Sequence, residues 1–259
     1  MAFGSNSYNS SANINEQVAF DQGLRSYMLR VYNWMASGVA LTGIVAYLVV
    51  STSLGGLFYK FTPGGGMAVT GLGFIAMLSP LAFVMVMSLG VNRLSKQTVQ
   101  TLFWVFCALM GVSMANIFYI YTASSITSTF FVVAAMFAGM SLYGYTTRRD
   151  LTGFGAILGM GIYGIFLAML VSIVMGIFAP GSNFMLNLVI NVLGVIIFTG
   201  LVATNTQSIK VSYIQFSQYM GVDEAAKRSV YDALSLYLNF INLFNFLLQL
   251  VGMRQGSNE

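Results

Sequence analysis

The side chains with chemistry to offer inside the apolar stretches of this chain are amides. On a helix turning about 100° per residue, Asn239, Asn242, Asn245 and Gln249 share an arc of about 120°. Asn187, Asn191 and Asn205 form a second stripe, with the small Gly194 beside it. A helix that is polar on one side adjoins water or a polar core, so two amide stripes can line a shared cavity. They can equally hydrogen-bond between helices, a role worth only ~0.6 kcal/mol per bond on average in a membrane protein. Spacing alone leaves both uses open.

The elements that hold these amides are defined by where charge is missing. The 11 Lys and Arg and the 7 Asp and Glu all fall outside seven apolar runs, at 34–54, 67–89, 101–120, 124–143, 153–178, 184–203 and 233–252. Random placement would put roughly 10 charges inside them, and each charge near a bilayer centre costs about 2.5 to 3.5 kcal/mol. About 20 apolar residues span a hydrocarbon core as a helix, the form that satisfies its own backbone where water is absent. The sequence therefore predicts an all-α integral membrane protein of seven transmembrane helices. A composition of 57% hydrophobic and 7% charged residues agrees, since soluble domains carry about 25% charged residues.

Residues 1–23 read as a polar, disordered tail, 24–253 as one membrane domain and 254–259 as a short C-terminal tail. Nine Lys and Arg lie on one set of alternate connections and two on the other, which places the N-terminus in the cytosol. The net charge of +4 is thus topological and does not signal nucleic acid. Residues 205–232 read as a continued sixth helix, a turn at Met220-Gly221 and a new helix from Asp223. Pro80 is expected to kink the second helix, and Gly155 with Gly159 to let helices pack closely.

Several function classes are disfavoured. The chain has no histidine, which removes the usual titrating switch and the commonest metal ligand. No lysine is available in the spans for a retinal Schiff base, no base accompanies an intraspan Ser or Thr, and no titratable relay is present for a proton-coupled carrier. Cys107, the single cysteine, reads as a small buried apolar residue. The expectation is a non-enzymatic protein without cofactor or metal centre, whose partner is the lipid bilayer.

Four stretches in order, LRSYMLRVY at 24–32, SLYGYTTRRDL at 141–151, TQSIK at 206–210 and SLYLNFINLF at 235–244, resemble the bacterial branch of the Bax inhibitor-1 family. The resemblance covers residues 20–253. It implies a C-terminal helix wrapped by the other six, a bacterial inner-membrane location, and a calcium leak controlled by pH. In that family the control element is a pair of aspartates on helices six and seven, one of them also paired with an arginine. By motif those positions are Asn205 and Asn239 here, and Arg93 lies at the same cytosolic depth. Two amides cannot share a titrating proton as two carboxylates do. The expected ion path or gate is Asn205, Asn239, Asn242, Asn245 and Arg93, with Asn205 and Asn239 bonded directly to each other. The chain is then either a pH-insensitive member or a carboxylate-to-amide variant of one. Expected function is calcium or cation homeostasis with pH gating weakened or lost; the alternative is a non-conducting protein that modulates a membrane protease or stress-response partner.

Overall fold

The structure, a computed structural model, describes residues 5–61, 67–90, 94–179, 183–217, 219 and 221–256. Helix α1 (Ser5–Ser51) begins within the stretch expected to be disordered and carries the first apolar run. A short α2 (Gly55–Phe58) leads into an antiparallel hairpin of β1 (Tyr59–Phe61) and β2 (Met67–Val69), in which Tyr59 faces Val69 and Phe61 faces Met67. The second apolar run, helical from Met67 by length alone, therefore opens as a strand. Helix α3 (Gly71–Gly90) starts only after Thr70, whose hydroxyl accepts the Gly73 amide and donates 2.6 Å to the Leu57 carbonyl. This cap fixes the helix start.

The remaining helices are α4 (Lys96–Met114), α5 (Ile117–Ile120), α6 (Ala123–Thr146), α7 (Thr152–Phe178), α8 (Phe184–Phe216) and α9 (Val222–Gly256). Serine and threonine cap α4 and α6: Ser95 accepts the Thr98 amide and Thr122 the Ser125 amide. Among the described residues six helical segments are long and apolar enough to cross a membrane, and α3 adds a shorter apolar segment, Gly71–Val86. Large apolar side chains point outward along them, Phe178 at 83% exposure and Tyr163 at 74%. Such a continuous apolar exterior is a surface built for lipid.

Helix α9 is the axis of the bundle. Over half of its most apolar stretch (56%) is buried, against 17% in α7. It packs against α1, α4, α6 and α8, whereas α3 packs chiefly on α4 and α7 chiefly on α8. The wrapping expected from six helices is made by four, with two more as an outer layer. At the centre Tyr237, fully buried, meets Phe103 and Phe106 edge-on, and its hydroxyl lies 2.7 Å from Thr42 Oγ1.

Pro80 sits inside α3 without ending it. The amide it lacks would have bonded the Ala76 carbonyl, four residues back. That carbonyl instead accepts Ser79 Oγ at 2.8 Å and Ser113 Oγ of α4 at 2.6 Å, so the neighbouring helix repairs the break. Of the paired glycines in α7, Gly155 faces Thr204 of α8, while Gly159 faces open space. The tight crossing lies elsewhere, at Gly144 of α6, where an added Cβ would fall 2.2 Å from the Ala203 carbonyl oxygen of α8.

Candidate functional site beside the C-terminal helix

Asn205 lies late in α8, and Asn239 lies midway along the buried face of α9 between Val230 and Leu248; the two helices share the largest interface in the bundle. The direct amide pair expected between them does not form. Asn205 Nδ2 donates 3.0 Å to Ser235 Oγ, one turn before Asn239 on the same face of α9. Asn239 is itself 5% exposed, and its Nδ2 has no hydrogen-bond partner. A buried donor left unmade costs about 1 to 3 kcal/mol; Asn191 of α8, also buried, leaves its Oδ1 acceptor without a partner.

The rest of the stripe disperses. Asn242 turns back to the Leu238 carbonyl of its own helix at 2.9 Å, Asn245 is half-buried and Gln249 is exposed. The second stripe does what helix packing asks of amides. Asn187 accepts the Ser172 hydroxyl of α7, and Asn191 donates to Met253 Sδ of α9 at 3.8 Å. Arg93 lies outside the described residues.

A cavity of about 700 Å³ opens where α6 passes to α7 and runs along α8 past Asn205 to Leu201. Arg148, Arg149 and Lys210 line it, with Asp150 as its one carboxylate. Gln207 fixes this wall: its Oε1 accepts the Leu151 amide and its Nε2 donates to the Arg149 carbonyl, both at 2.7 Å. Lys210 donates 2.7 Å to the Tyr145 carbonyl and sits over the Tyr145 ring. Asp150 Oδ1 accepts both the amide and the hydroxyl of Thr152 at the start of α7, and these bonds hold its carboxyl below the usual carboxylate range. The stabilisation from these two bonds is present above that range and is lost as pH falls through the lowered value. None of Asn239, Asn242 and Asn245 lines this cavity.

Three residues here escaped the reading of the sequence. Gln207 lies four positions past the sixth apolar run and Ser235 is one serine among many. Asp232 lies one residue before the seventh run, where a solvated acid is the ordinary case. In the fold Asp232 is half-buried, and Tyr27 of α1 donates 2.6 Å to its Oδ2, a length typical of charge-assisted O–H···O⁻ bonds. The Tyr27 ring packs on Tyr213 of α8 with centroids 4.8 Å apart. Asp232, Ser235 and Asn239 share one face of α9, with about 10 Å of rise from first to last. Tyr27→Phe keeps the ring but removes the bond, and is expected to cost about 2 kcal/mol of stability in detergent. Adding Asp232→Asn should recover part of that loss, whereas strictly additive losses would show that the two side chains are not coupled.

The fold and the site define a multi-pass α-helical membrane protein built around its C-terminal helix. A family model described as "Inhibitor of apoptosis-promoting Bax1" matches residues 24–256, and the chain belongs to this family, the Bax inhibitor-1 family. It is 41% identical over 233 residues to the inner membrane protein YbhL of Escherichia coli, covering 90% of this chain and 94% of YbhL. It is also 40% identical over 237 residues to the protein RP147 of Rickettsia prowazekii, covering 91% and 93% of the two chains. A Caulobacter vibrioides protein is 40% identical over 238 residues, 91% of each.

Proposed function

We propose that the chain is a non-enzymatic membrane protein of calcium or cation homeostasis. Its leak path runs beside α9, is entered through the cavity, is closed where Asn205 meets Ser235, and has no proton switch. The arrangement of Lys and Arg along the sequence supports an N-terminus in the cytosol, and the similarity to YbhL, an inner membrane protein, supports a bacterial inner-membrane location. One observation carries the reading. Asn205 lines the cavity wall while bonded to Ser235, and the unpartnered Asn239 amide lies one turn farther along α9. An amide has no proton to lose in the accessible range, so the closed contact persists at every pH.

The test is calcium entry into liposomes followed from about pH 6 to pH 8, for the parent and for a variant carrying Asn205→Asp with Asn239→Asp. The parent should show a small flux that does not vary with pH, and the double variant a flux that changes several-fold as the carboxylate pair titrates. Equal, pH-steep flux in both would refute the loss of the switch. No parent flux at any pH, beside flux in the double variant, would favour a second reading. In it the chain does not conduct and modulates a membrane protease or stress-response partner. The cavity lining favours that reading in one respect, because three cations against one carboxylate repel a divalent cation.

A further inference from the structure

We propose that this same cavity is a binding site for a phosphate group on an organic molecule. Arg148 and Arg149 line it side by side on the connection between α6 and α7. Among the described residues the ion pair formed is Lys96 with Asp223, so neither arginine is neutralised by a carboxylate. The neighbouring acid, Asp150, is engaged with the first residue of α7 through its Oδ1. The connection carrying the arginines is also preorganised. Gln207 clamps its backbone at Arg149 and Leu151, and Thr147 Oγ1 accepts the Arg149 amide at 3.3 Å. A rigid backbone presenting two planar guanidinium forks matches the geometry of phosphate oxygens, and a fixed loop loses little entropy when a ligand arrives.

Hydroxyls of Ser208 and Ser212 add donors along the α8 wall. A volume of about 700 Å³ exceeds what inorganic phosphate fills and lies within the range of small-molecule sites. Depth adds to the argument. Most of the lining, with all of its charged residues, lies beyond residue 143, before residue 153 and beyond residue 203, where three apolar runs end and lipid phosphates reside; Gly155 and Leu201 carry it just inside two of those runs. Basic pockets between helices at that level take anionic headgroups. The shared chemistry is a phosphate ester, supplied by an anionic lipid or by a soluble metabolite. Binding here stands whether or not current flows, so failure of the conduction reading leaves it untouched.

The full chain in detergent is titrated with dioctanoyl phosphatidic acid, dioctanoyl phosphatidylcholine and glycerol 3-phosphate, with thermal stability and calorimetric heat as readouts. The expected result is saturable stabilisation by phosphatidic acid that weakens with added salt, absent with phosphatidylcholine, and weakened ~10-fold or more in Arg148→Gln with Arg149→Gln. Comparable binding of glycerol 3-phosphate assigns the site to soluble phosphate esters, and binding of phosphatidic acid alone assigns it to lipid. Lys60→Gln, a cation on the far connection, should leave affinity unchanged. Should the double variant fail to fold, the salt dependence and headgroup selectivity of the parent decide. Equal response to the zwitterionic and anionic lipids, no saturable binding, or undiminished affinity in a folded double variant would overturn the proposal.

Discussion

Gly144→Ala is expected to destabilise the bundle by about 3 kcal/mol, the upper end of what overpacking costs. The new Cβ would lie 2.2 Å from the Ala203 carbonyl oxygen and 2.9 Å from its carbonyl carbon and Cα. These are backbone atoms of a helix, so no rotamer change relieves the overlap and α6 must move away from α8 as a unit. That displacement pulls at bonds on the same interface, Lys210 to the Tyr145 carbonyl and Ser141 Oγ to Thr206 Oγ1 at 3.2 Å. Gly139→Ala, on the same helix with nothing within 4 Å of the new Cβ, is the control and should be neutral or gain up to ~1 kcal/mol from helix propensity. Thermal melting of both variants in one detergent checks the difference. Equal melting temperatures would mean that α6 and α8 do not cross at Gly144 as described.

Asn239→Leu should act in the opposite direction and stabilise the protein by about 1 to 2 kcal/mol. The parent buries an amide donor without a partner, and a leucine of similar size removes that penalty while adding apolar contact with the core around Phe240 and Leu243. Asn205→Leu should not stabilise, because it deletes the bond to Ser235 and sets an apolar side chain in the wall of a polar cavity. Chemical denaturation in mixed micelles distinguishes the two. A destabilised Asn239→Leu would show that the amide is satisfied in the membrane, and an ordered water is then the first candidate. A stabilised variant would mark Asn239 as a position kept polar at a cost, the pattern expected of a residue retained for function.

The apolar runs and the amides differ in how far the sequence reaches. Segregation of charge is a one-dimensional property, and it placed some helix ends to within a residue: α7 at Thr152–Phe178 coincides with the run at 153–178, and α8 starts at Phe184 as its run does, whereas α1 and α9 begin well before their runs. The extension of α8 to Phe216 and the fresh start of α9 at Val222 follow the turn read at Met220-Gly221, of which Gly221 is among the described residues. Family membership was legible in four short stretches for the same reason, since each is contiguous.

What a helix faces is another matter. Periodicity gives the angle of a side chain about its own axis but not the rotation and height of its neighbour. The amide at 205 therefore met a serine at 235 in place of Asn239, and the stripe through Asn242 and Asn245 lines no part of the cavity beside it. Nothing in the sequence marks Asp232, one residue outside an apolar run, and only the packing of α1 brings Tyr27 against it. By itself the sequence determined the solvent, the class of fold and the family, because hydrophobic length and charge placement act along the chain. Only the tertiary structure decided which polar groups are paired, orphaned or gathered around a basic cavity, because those outcomes depend on how antiparallel helices rotate and slide against one another when they pack.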